Sequence, residues 1–214
     1  MTARPVPVPK VWGIGTVGSA PWPVAPEDIV DETESAVEHL RMLGISEGGL
    51  VLIVSRLAET IHVAPLELAA GRLSARWSSC DASEGDAFRT ASLIRQLRPD
   101  AVVGVNETIL TALDHGVFDE VPVVAVTDRF ARDAVPSSRW WLRLGPTSAF
   151  ECEARSGAHY DTAKWRVDQS GDRVAITNIA PRLTPSMQLA TDVVGHVVDD
   201  PCSCGRDGPR IVPA

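Results

Sequence analysis

The sequence contains no long apolar run. Nothing in its 214 residues approaches the ~20 consecutive apolar positions that a membrane-spanning helix needs. The opening residues, Met-Thr-Ala-Arg-Pro-Val-Pro-Val-Pro, lack the apolar core of a secretory signal, so a cytoplasmic address is expected. A basic excess is missing as well. The net charge is −8, which argues against nucleic acid or an anionic membrane surface as a partner. There is no Gly-x-Ser-x-Gly nucleophile elbow and no Gly-Lys-Ser/Thr phosphate loop. Cysteine is scarce, with four in all. In a reducing compartment four thiols point to metal binding or catalysis before disulfides. Tyrosine is rarer still, one against six tryptophans, a ratio that carries no functional reading.

What is present suits a soluble globular chain: 44% apolar and 22% charged residues, enough to bury a substantial core. After a Pro-rich, extended tail (1–10), apolar runs at 50–54, 101–105 and 122–126 read as strands buried on both faces. Helical patterns over 26–43, 61–73, 83–97 and 107–115 alternate with them. A short strand at 74–80 fits the same series. This alternation predicts an α/β fold, a parallel sheet flanked by helices. From about residue 128 strands dominate: 139–144, around Tyr160, 165–167, 173–179 and 193–198, with a hairpin turn at 168–172. The expected organisation is an α/β body over 11–144 and a smaller β-rich C-terminal subdomain over 145–214.

Three of the four cysteines flank one segment. Cys152 is followed seven residues later by His159, and Cys202 and Cys204 stand one residue apart near the end. Two thiolates from a tight turn, with a Cys and a His from another loop, would make a closed tetrahedral set of the kind a structural zinc takes. The opposing reading makes Cys202 and Cys204 turn thiols and Cys152 a small core residue. His196 is a rival imidazole, and Cys80, far away in the α/β body, reads as a buried small residue.

The glycine-rich stretch from Val11 to Trp22 could aim backbone N–H groups at a phosphate, or could simply be a loop entering the first helix. Gly13, Gly15 and Gly18 match Gly-x-Gly-x-x-Gly letter by letter, but no clear strand precedes them and Pro21 follows, so no dinucleotide fingerprint is assigned. His62 follows the first buried strand, where parallel sheets place their sites, though a packed or surface histidine there is commonplace.

In this order, the pieces resemble the core of the adenylate-forming superfamily, and specifically its phenylacetate–CoA ligase-like branch. Gly15, Thr16, Val17 and Gly18 with Pro21 look like its phosphate loop, and Leu144-Gly145-Pro146-Thr147-Ser148 looks like its Tyr-Gly-x-Thr-Glu nucleotide motif. Ala190-Thr191-Asp192 is similar to the Thr-Gly-Asp whose aspartate holds a ribose. Glu151-Cys152, Gly157-x-His159, Cys202-x-Cys204-Gly205-Arg206 and Arg210-Ile211 look like the late signature of the branch, whose Cys and His positions hold zinc in several members. The resemblance implies a truncated adenylate-forming core, with Gly15, Thr16, Gly18, Gly145, Thr147 and Asp192 lining a ligand site. It implies Cys152, His159, Cys202 and Cys204 around a structural zinc.

The family's reaction joins ATP, Mg²⁺ and a carboxylic acid into an acyl-adenylate, then passes the acyl group to coenzyme A. The positions that would carry that charge are changed. The loop's lysine position falls at Trp22 or a neighbour, and its second threonine is Val17. The adenine-stacking tyrosine is Leu144, the Mg²⁺-binding glutamate is Ser148, and Gln188 and Leu189 stand near the arginines before the ribose aspartate. The chain stops close to where the family's hinge leads into the domain that brings its catalytic lysine. ATP and Mg²⁺ use is therefore doubtful. The expectation is a binding module for an acyl, acyl-CoA or nucleotide ligand. Working as a homo-oligomer or with a partner subunit is a further option. The alternative is an acyl-transfer enzyme working through altered residues, with Asp192, Thr147, His62, Asp81 and Glu107 as its candidates.

Overall fold

Alternate residues of a strand face opposite sides of a sheet, so a strand that is apolar throughout needs a cover on both faces. The computed structural model, which describes residues 10–17 and 20–214, meets that need with helices on either side. Strand β1 (Gly13–Val17) pairs antiparallel with β2 (Ala20–Val24) as a separate hairpin. Helix α1 (Pro26–Met42), β3 (Leu50–Ser55), α2 (Thr60–Arg72), β4 (Arg76–Asp81), α3 (Ala87–Leu97) and β5 (Ala101–Val105) follow. Then come α4 (Glu107–Ala112), β6 (Val123–Val126), α5 (Arg129–Ala134), β7 (Arg139–Leu144), β8 (Thr147–Glu151) and β9 (Ala158–His159). The last strands are β10 (Trp165–Ser170), β11 (Arg173–Asn178), β12 (Leu189–Val198) and β13 (Arg210–Pro213).

Eleven strands form one sheet in the order β10-β11-β12-β13-β9-β8-β7-β6-β5-β3-β4. Pairing is parallel from β4 through β7 and antiparallel from β7 to β10. The fold class is thus α/β with a large mixed sheet. Val51, Ile53 and Val103 pack with α1 and α2; Leu52, Val54 and Val102 pack with α3 and α4. The second of these cores continues without a break into the antiparallel half, through Trp165, Val174, Ile176 and Ile211.

The glycine-rich stretch read above as a loop is therefore a hairpin, held by the Gly15–Trp22 and Val17–Ala20 pairs. Gly18 and the tail, apart from Lys10, lie outside the described residues. The helix expected over 107–115 ends at Ala112, and a 3₁₀ turn takes over at His115. Strands β8 and β13 lack a continuous apolar run, and helix α5 has only six residues, so none of them showed as a pattern.

Gly104 sits in β5 with φ +97°, where the register against β6 shifts. A Cβ there would overlap the carbonyl oxygen of Val54 and crowd the ring of Trp141. Gly104→Ala is expected to destabilise the chain by about 3 kcal/mol or more. Urea unfolding should show a lower midpoint at unchanged slope, and an unchanged midpoint would contradict the packing.

Candidate ligand cleft and cysteine cluster

Cys152 leaves the end of β8 into a turn closed by Arg155 N–H on the Cys152 carbonyl (3.0 Å). His159 lies in β9. Cys202 and Cys204 stand in the turn between β12 and β13, closed by Gly205 N–H on the Cys202 carbonyl (3.0 Å). Pairing of β8, β9 and β13 brings the two turns together. The ligand atoms of all four residues lie within 4.8 Å of one another. Cys152 Sγ is 3.6 Å from Cys202 Sγ, and Cys204 Sγ is 3.5 Å from His159 Nε2. A tetrahedral zinc would set such edges at about 3.8 Å for S–S and about 3.5 Å for S–N. A disulfide needs about 2.05 Å, and all four cysteines are free. The donor set and its spacing fit a metal ion of the zinc type, and four protein donors leave no open position for chemistry.

The thiols are unequal. Burial pushes Cys152 up to about 12. Burial also acts upward on Cys202, but the Ser156 hydroxyl (3.2 Å) and the Cys204 amide pull it down to about 5. His196 is exposed on β12 and takes no part. Cys80 is buried 3.1 Å from Thr90 Oγ1, and burial raises its thiol.

A cleft of about 800 Å³ opens at the carboxyl ends of the parallel strands, where open α/β sheets place their ligands. Arg56 and Glu59 enter it from the segment after β3, and Thr127 to Arg129 from the segment after β6. Thr16 and Val17 of the hairpin, Gly145 and residues 189–194 of β12 close the other side. Five segments distant in sequence thus meet here. Around Gly145 the packing is close: a Cβ would fall 3.2 Å from Val17 and 3.3 Å from Leu189. Arg143 forms an ion pair with Glu59 across one wall. Asp192 faces solvent at the rim, 3.4 Å from Arg173. His62 is buried in the wall beside them, and burial, aided by the Arg143 charge, lowers it to about 3. It is therefore a neutral imidazole at physiological pH.

No protein-family model and no curated protein matches the chain. Solved structures do. A 2-hydroxyisobutyryl-CoA ligase in an open conformation, in complex with 2-HIB-AMP and CoA, superposes at TM-score 0.74 with 14% identity, over 96% of this chain and 57% of that one. The same ligase in its thioesterification state gives TM-score 0.73 at 14% identity, over 94% and 51%. The postadenylation state with 2-HIB-AMP also gives 0.73 at 14%, over 95% and 52%. The chain has the fold of CoA ligases. It spans a little over half the length of these ligases.

Of the ligand residues expected from sequence, Thr16, Gly145 and Asp192 border the cleft. Gly15 faces away, where a Cβ would run into the Ile61 side chain of α2. Thr147 is 2% exposed and gives its hydroxyl to Glu32 Oε2 at 2.7 Å. Gly18 is outside the described residues. Asp81 borders a different cavity near Cys80, and Glu107 sits in the first turn of α4. Sequence reasoning missed the Arg143–Glu59 pair and the roles of Trp141 and Ser148. Trp141 Nε1 donates to Ser148 Oγ (3.1 Å), and Ser148 Oγ lies 3.2 Å from His62 Nδ1. Partners 7 and 86 residues apart leave no local signal.

A histidine lowered on folding leaves the unfolded chain holding more protons below its ordinary value of 6.5. Stability is therefore lost as pH falls through 6.5 towards about 3. His62 should cost the fold about 2 kcal/mol between pH 7.5 and pH 5. Thermal melts of wild type and His62→Asn should show a pH sensitivity smaller by about that amount in the variant, and equal sensitivity would place His62 in water.

Proposed function

We propose that the chain is a relative of the phenylacetate–CoA ligase-like branch that binds a small acyl, acyl-CoA or nucleotide ligand without full adenylation activity. The observation that carries this reading is the meeting of Thr16–Val17, Gly145 and Ala190–Asp192 around one cleft, while the charge-handling positions are committed elsewhere. Leu144 is fully buried in the core and offers no ring to an adenine. Ser148, where the resemblance places a Mg²⁺-binding glutamate, is engaged by His62 and Trp141. Trp22 packs on Val24, Ile29 and Ile61 and presents no cation to a phosphate. Such groups together supply most of the charge stabilisation of phosphoryl chemistry. A second reading, an acyl-transfer enzyme using the altered cleft, is favoured by the neutral His62 in its wall. Turnover of an acyl-CoA without added ATP would select it.

Cys152, His159, Cys202 and Cys204 hold a structural zinc in this reading. It staples the turn after β8 to the turn before β13, and it supports the fold, not a reaction.

A thermal-shift panel of nucleotides, CoA esters and aromatic acids tests the ligand. A ligand at a hundred times its Kd contributes about 2.7 kcal/mol, roughly 5–11 °C for a chain of this size. At least one class should raise Tm, and Thr16→Trp, which fills the cleft, should abolish the rise. No shift with any class would contradict the reading. For the metal, elemental analysis should give one zinc per chain. Cys204→Ser should lose the zinc and on the order of 4 kcal/mol of stability, roughly 8–16 °C in Tm. A metal-free chain of wild-type stability would refute the staple.

A further inference from the structure

The indole N–H of Trp141 can only donate, and it points at Ser148 Oγ from 3.1 Å. Ser148 then has one proton to give, and His62 Nδ1 lies 3.2 Å away. Ser148 has no other side-chain or backbone partner among the described residues, so the reverse order would leave its hydroxyl proton without an acceptor. The relay from Trp141 through Ser148 to His62 thus runs one way. It makes Nδ1 the acceptor and leaves the imidazole proton on Nε2.

Nothing among the described residues bonds to Nε2. With Nδ1 turned to Ser148, Nε2 is the nitrogen on the far side of the ring from that bond. His62 borders two spaces, the cleft of about 800 Å³ and a gap of about 10 Å³ shared with Ser148 and Phe150. Only the first has room for a ligand. Arg143 is paired with Glu59, and its charge still disfavours an imidazolium at His62. The arginines further out, Arg56 and Arg129, suit phosphate; the wall at His62 suits an uncharged oxygen.

We propose that His62 is a pre-aligned neutral donor whose Nε2–H binds the carbonyl oxygen of an acyl group lying in the cleft. The role rests on the reading of the cleft as a small-ligand site. Trp141 on β7 and Ser148 on β8 are diagonal neighbours on paired strands, Ser148 standing opposite Arg143, so they are positioning residues that fix the tautomer before a ligand arrives. A donor aimed in advance needs no reorganisation when the carbonyl oxygen gains charge.

Nitrogen-15 NMR of the histidine-labelled chain near pH 7 tests this in two steps. Without ligand, His62 should show a protonated Nε2 and an unprotonated Nδ1, and Ser148→Ala should spread the proton over both nitrogens. An imidazolium, or a proton on Nδ1, in the wild type would overturn the proposal. Acetyl-CoA and CoA are then added separately. Acetyl-CoA should shift the Nε2–H signal and CoA should not. His62→Phe should cost about tenfold in the acetyl-CoA preference, the worth of one neutral hydrogen bond, and His62→Gln should recover part of it. Acetyl-CoA that moves the amides of Gly145 and Asp192 but leaves His62 unmoved overturns the donor role alone. If neither probe moves any cleft signal, the small-ligand reading falls and takes the donor role with it, while the tautomer result stands separately.

Discussion

The carboxylate of Glu32 is the joint on which the two halves of the sheet depend. It sits on α1, yet its oxygens are held from three other places. Trp165 Nε1 and Arg182 Nη2 reach Oε1 at 3.0 and 2.7 Å, and Thr147 Oγ1 reaches Oε2 at 2.7 Å. Burial pushes this carboxyl above its ordinary value, and the Arg182 charge opposes that rise. An indole and a guanidinium can only donate, so Oε1 is fixed as an acceptor. Arg182 also lies 4.9 Å over the Trp165 ring. A buried ion pair of this kind adds little net stability, but removing one partner strands the other at a cost of about 3–5 kcal/mol. The network therefore specifies one docking of α1 against β8, β10 and the segment before β12. That docking sets where the hairpin and β12 meet Gly145, and so the shape of the cleft.

Much of the α/β half was legible in the sequence because its strands are apolar on both faces. Leu50–Ser55 and Ala101–Val105 need no partner to announce themselves. The hairpin of β1 and β2 was not legible. It is built from glycine, proline and short alternations that read equally well as a loop. Strands β8 and β13, TSAFE and RIVP, have neither a continuous apolar run nor a clean alternation to mark them. The Cys/His cluster was visible as spacing because its ligands are rare residue types. The Glu32 network and the Trp141–Ser148–His62 relay were not, because ordinary polar residues far apart in sequence gain their roles only from the fold. Thr147 shows the cost: as a motif letter it points to a ligand, and in the structure it faces Glu32.

The buried strands build the fold of a CoA ligase, over a little over half the length of the ligases it superposes on, and Cys152, His159, Cys202 and Cys204 gather at the edge of its antiparallel half. The cleft keeps its position at the carboxyl ends of the strands. Arg56, Arg129, the paired Arg143 and the neutral His62 line its wall.

The most direct measurement of this account is ATP–pyrophosphate exchange, run on chain carrying its full complement of zinc with a panel of aliphatic and aromatic carboxylic acids and Mg²⁺. Exchange at background is the expected result, even for an acid that raises Tm. Exchange with any acid at the rate of a working CoA ligase would contradict it.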